Sequence, residues 1–78
     1  MDRYAIFAAG AASYRLHGVY ADRGQAVEHY NRLASRVEAI LARVGGTGAV
    51  TVLAAGGLSA EGVARDTIFL DAVRAAVG

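Results

Sequence analysis

The residues whose type and spacing could do chemistry are His29, Arg32, Arg36 and Arg43. On a helix turning about 100° per residue they fall within about 60° of one another. Such a stripe suits the phosphates of a nucleic acid or an acidic protein surface. Glu28 stands beside it, four residues before Arg32, and Glu38 lies away from it. The second histidine, His17, falls in a separate alternating segment. Neither histidine belongs to an H-x-x-x-H or H-E-x-x-H pattern, and the chain has no cysteine, so no metal site is expected. No Ser/His/Asp order and no flanking acid pair is visible. The expectation is a non-enzymatic protein with no catalytic residues and no cofactor.

The glycine clusters invite a phosphate-loop reading and do not support it. Gly45-Gly46-Thr47-Gly48 stands where a helix would end and a strand begin, the reverse of the strand–loop–helix order a phosphate loop needs. Gly56-Gly57 with Ser59 follows a strand, but no lysine follows the glycines. Both clusters read as turns, with anion binding near Ser59 a minor alternative.

The elements that would position these groups follow from periodicity. Asp22 and Gln25 have capping-box spacing. Apolar residues then recur at Ala26, Val27, Tyr30, Leu33, Ala34, Val37, Ile40, Leu41 and Val44, which predicts one amphipathic helix from Asp22 to Val44 stopped by Gly45-Gly46. Tyr14 to Ala21 alternates, and Arg3 to Ala9 is its hairpin partner across Gly10-Ala11-Ala12. Ala49 to Ala54, rich in β-branched residues, predicts a third strand. Asp66 to Val77 has helical spacing, with a strand over Val63 to Phe69 as the alternative. The expected fold is α+β, order ββαβα, a single two-layer domain over residues 1–78.

Composition limits the function classes. The chain is 55% hydrophobic, but 18 of its 78 residues are alanine and only 20 are Leu, Ile, Val or Phe. That is enough to fold and leaves a thin core, of the kind that often leans on a second chain. Eight arginines, no lysine and seven carboxylates give a net charge of +1, too balanced for bulk attraction to nucleic acid or membrane. The apolar run Tyr4 to Ala12 is short and alanine-rich. It reads as a strand, not a leader or a membrane span, so a cytoplasmic location is expected.

In a hairpin with Ala9 opposite Tyr14, Phe7 opposes Leu16 and Ala5 opposes Gly18. Phe7, Tyr14, Leu16 and Tyr20 then share the face under the helix. Tyr4, Ile6, Arg15, His17 and Val19 share the other, with the composition of an interface. The leading expectation is therefore a protein-interaction module. It would be a homodimer, an adaptor or an occluding inhibitor of a larger protein partner, for example a phage-type inhibitor of host defence, docking through that face. The alternative is a small nucleic-acid-binding protein using His29, Arg32, Arg36 and Arg43. Tyrosines beside Arg15 on a small sheet also fit a single-strand reader.

Overall fold

The computed structural model describes all residues 1–78. Its elements are β1 (Arg3–Ala9), β2 (Tyr14–Tyr20), α1 (Arg23–Ala34), β3 (Ala39–Val44), β4 (Val50–Ala54), α2 (Ala60–Arg65) and α3 (Thr67–Val77). The strands form one antiparallel sheet in the order β2-β1-β3-β4. β2 and β3 both run antiparallel to β1, so they are parallel to each other, and α1 is the crossover between them.

The α+β class and the opening hairpin are as the sequence predicts; the long helix is not. α1 begins as expected, with the Asp22 carboxylate accepting the Gln25 backbone N–H at 2.9 Å. It ends at Ala34, where the Arg36 and Val37 N–H groups turn back to the Leu33 carbonyl and the Ser35 hydroxyl donates to Arg32 O. The rest of the expected helix is β3, paired with β1 from Ala39 opposite Ala8 to Val44 opposite Arg3. The cause is burial on both faces. A central strand covered on both sides is apolar throughout, and its residues then fit helical spacing as well as strand spacing.

The order is therefore ββαββαα, with three layers where two were expected. On one face α1 packs Ala26 and Leu33 over Tyr4, Ile6, Ala39 and Leu41. On the other, α2 and α3 bring Val63, Phe69 and Val73 onto Ala5, Phe7, Ile40, Ala42 and Val44. Phe69 is the hub of that side: Phe7 and Tyr14 meet it edge to face at 5.4 and 5.2 Å between centroids. Such pairs contribute about 0.5–1.5 kcal/mol each beyond area burial. Ala5, Ala26, Ala39 and Ala42 are fully buried, so much of the alanine belongs to the core. The second helical layer explains how a thin core covers both faces of the sheet.

The glycines serve turns. Gly45 to Ala49 closes the β3–β4 hairpin, with Gly48 at φ +88°. Gly56, at φ +59°, ends β4, and its N–H donates to the Tyr30 hydroxyl at 3.0 Å. Ser59, the minor anion candidate, uses its hydroxyl to cap the short helix α2 through the Gly62 N–H.

Candidate anion-binding groove

One irregularity in the hairpin creates the site. Phe7 faces Leu16 as expected, but Ile6 faces Gly18 and Ala5 faces Val19, so His17 is an extra residue in β2. A bulge reverses the side on which later residues point. Val19 turns to the α3 layer and Tyr20 to the α1 layer. The expected exposed face does not form: α1 covers its β1 residues, and the bulge turns Val19 away from it. Tyr4 and Ile6 lie beneath α1, 9% and 0% exposed. Val19 is half-buried against the α3-side core, and Arg15, though exposed, stands apart from the groove described next. Of that set only His17 reaches a concave surface.

That surface is a cavity of about 410 Å³ between the bulged edge of β2 and the C-terminal half of α1. Its polar groups are the His17 and His29 imidazoles, the Tyr20 phenol and the Arg32 and Arg36 guanidiniums. Leu33 and Val37 supply apolar wall, and no carboxylate lines it. Three members of the arginine stripe thus stay together, because His29 and Arg32 share α1 and Arg36 follows in the turn after it. The fourth, Arg43, is half-buried in β3 between Tyr4 and Thr51 and takes no part. It left the stripe when the helix ended at Ala34.

The His29 imidazole is held, not merely adjacent. His29 Nδ1 and the Tyr20 hydroxyl are 2.7 Å apart, with the rings edge to face at 5.6 Å. His17 meets His29 edge to face at 6.5 Å. When the phenol donates to Nδ1, the ring proton sits on Nε2, which can donate to an anion. Gly18 makes the arrangement fit: a Cβ there would come within 3.1 Å of the Tyr20 ring and 3.3 Å of two His29 ring atoms. Arg32 reaches Glu28 at 3.8 Å, but both side chains are well exposed, so this pair leaves the guanidinium available.

Two guanidinium forks and an oriented imidazole can hold phosphate or carboxylate oxygens by charge-assisted hydrogen bonds. No group of three or more His, Asp or Glu side chains converges as a metal centre would require. Tyr20, Gly18, Leu33 and Val37 were not foreseen as site residues. The one signal for them was a glycine inside a strand pattern, which often marks a bulge or a close approach. Comparison with protein-family models, curated proteins and solved structures finds no match to this chain.

Proposed function

We propose that this chain is a small non-enzymatic binding domain whose β2–α1 groove takes the phosphates of a nucleic-acid strand. The observation that carries the reading is the convergence of His17, His29, Arg32 and Arg36 on one cavity that no carboxylate lines. Nucleic acid suits it better than an acidic protein surface, because rings and guanidinium planes stand beside an apolar wall, the pairing that single-strand binders use for base and backbone together. No helix is long and apolar enough to cross a membrane.

The test is anisotropy of a labelled single-stranded oligonucleotide as salt is raised. Binding at about 50 mM salt that weakens steeply toward 200 mM is the expected result. Replacing both arginines (Arg32→Gln, Arg36→Gln) flattens the log–log salt slope by about 1.4, two contacts at about 0.7 each for a single strand. Absence of binding at about 50 mM overturns the reading.

A second reading, a protein-interaction module or homodimer, has its own support in β4. This edge strand, Val50–Ala54, carries neither charge nor proline, and its outer side pairs with no strand. Unprotected edges of this kind accept another strand. Light scattering tests it: a dimer dispersed by Thr51→Pro supports the reading, and a monomer at all concentrations removes the homodimer.

A further inference from the structure

We propose that the groove receives a phosphate monoester at the end of a nucleic-acid strand, in preference to the internal phosphodiesters; this rests on the nucleic-acid reading above. The groove is small. The cavity of about 410 Å³ is near the small end of ligand pockets, which run from about 300 to 1,000 Å³. It has room for one phosphorylated unit and its immediate surroundings, not for a long track. The other arginines, at positions 3, 15, 23, 43, 65 and 74, line no part of it, so the guanidiniums of the groove itself are those of Arg32 and Arg36.

Its charge also favours a strand end. A terminal monoester carries about −1.5 to −2 at neutral pH and offers three strong acceptor oxygens, against a single charge on a diester. Two guanidiniums and an imidazole fixed by Tyr20, with no opposing carboxylate in the lining, concentrate donors at one point. That concentration matches the dianion better than one diester. Leu33 and Val37 border the same cavity, and His17 stands exposed on the bulge with its ring 6.5 Å from that of His29. An apolar strip and a ring beside a phosphate site fit the terminal base of the strand.

The experiment compares single-stranded oligonucleotides of one sequence, labelled internally, with a 5′-phosphate, a 3′-phosphate or hydroxyls at both ends. A serine phosphopeptide, inorganic phosphate and a blunt duplex serve as competitors. At least one phosphorylated end is expected to bind about tenfold more tightly than the hydroxyl-ended strand, and Arg36→Gln to abolish most of that preference. Arg36 is exposed in the turn after α1, so circular dichroism of this variant should match the parent. Competition by inorganic phosphate at millimolar concentration supports the proposal. Equal binding of phosphorylated and hydroxyl ends overturns the inference and leaves the nucleic-acid reading standing, whereas no binding of any strand overturns both. A phosphopeptide that competes as well as the phosphorylated strand overturns the assignment to nucleic acid.

Discussion

The Tyr20 hydroxyl lies 2.7 Å from His29 Nδ1, joining the last residue of β2 to the middle of α1 across the groove. The bond spans nine residues in sequence and fixes which imidazole nitrogen faces outward. Tyr20→Phe keeps the ring-edge contact and removes the bond. The stability loss should be about 0.5–1.5 kcal/mol by urea denaturation. Oligonucleotide affinity should fall by about three- to tenfold, because His29 is no longer oriented. Nitrogen-15 spectra of the histidine ring should show a shifted tautomer balance in the variant.

Gly18 separates groove geometry from stability. The close contacts of an added Cβ are with the Tyr20 and His29 side chains, not with backbone. Both rings can shift by a few tenths of an ångström, so Gly18→Ala should change unfolding free energy by less than about 1 kcal/mol. The same shift moves the imidazole out of place. Affinity should therefore drop by more than the change in stability would suggest. Parallel denaturation and anisotropy on this one variant check both halves.

On the opposite face, Tyr14 donates to Asp66 at 2.6 Å, and Asp66 also caps α3 through the Ile68 N–H. The hydrogen bond from Tyr14 holds the Asp66 carboxyl below its ordinary 3.8. The same bond, with burial and the neighbouring charge, pushes the Tyr14 phenol above its ordinary 10.0. The depressed carboxyl contributes stability that is present above pH 3.8 and lost as pH falls through its lowered value. The raised phenol contributes stability that is present below pH 10.0 and lost as pH rises through its raised value. The part of the melting temperature that this pair supplies should accordingly hold between those limits and fall outside them. Tyr14→Phe should lower the plateau and soften both flanks.

Phe69 is fully buried and touches both Phe7 and Tyr14. Phe69→Ala should cost about 3–5 kcal/mol. A domain of 78 residues has only about 4–12 kcal/mol of stability in all. The variant should unfold at low denaturant or be largely unfolded at 37 °C, as near-ultraviolet circular dichroism would show. Phe69→Leu should recover most of the loss.

The hairpin, the start of α1 and the terminal helix were legible in the sequence because local chemistry specifies them. Asp22 and Asp66 are side-chain caps, and Tyr14 to Leu16 alternates in the ordinary way. Besides the short helix α2, two features were not legible, and each has a tertiary cause. Ile40, Leu41 and Val44 repeat at helical intervals only because β3 is buried on both faces, and no glycine or proline marks the end of α1 between Ala34 and Ala39. The bulge at His17 depends on pairing with β1 and on the contact between Gly18 and His29, neither of which a period of two reveals. The end of α1 at Ala34 separates Arg43 from the stripe, and the bulge turns Val19 into the α3-side core and Tyr20 toward the groove.

The central claim is that His17, His29, Arg32 and Arg36 form one binding surface. Its most direct test is a proton–nitrogen correlation spectrum recorded while a 5′-phosphorylated single strand is titrated into the folded protein. Shift changes are expected to concentrate at His17, Gly18, Tyr20, His29, Arg32, Arg36 and Val37, including the histidine ring signals and the arginine side-chain nitrogens. Changes confined to β4 or α3, or a spectrum unaltered at low salt, would contradict it.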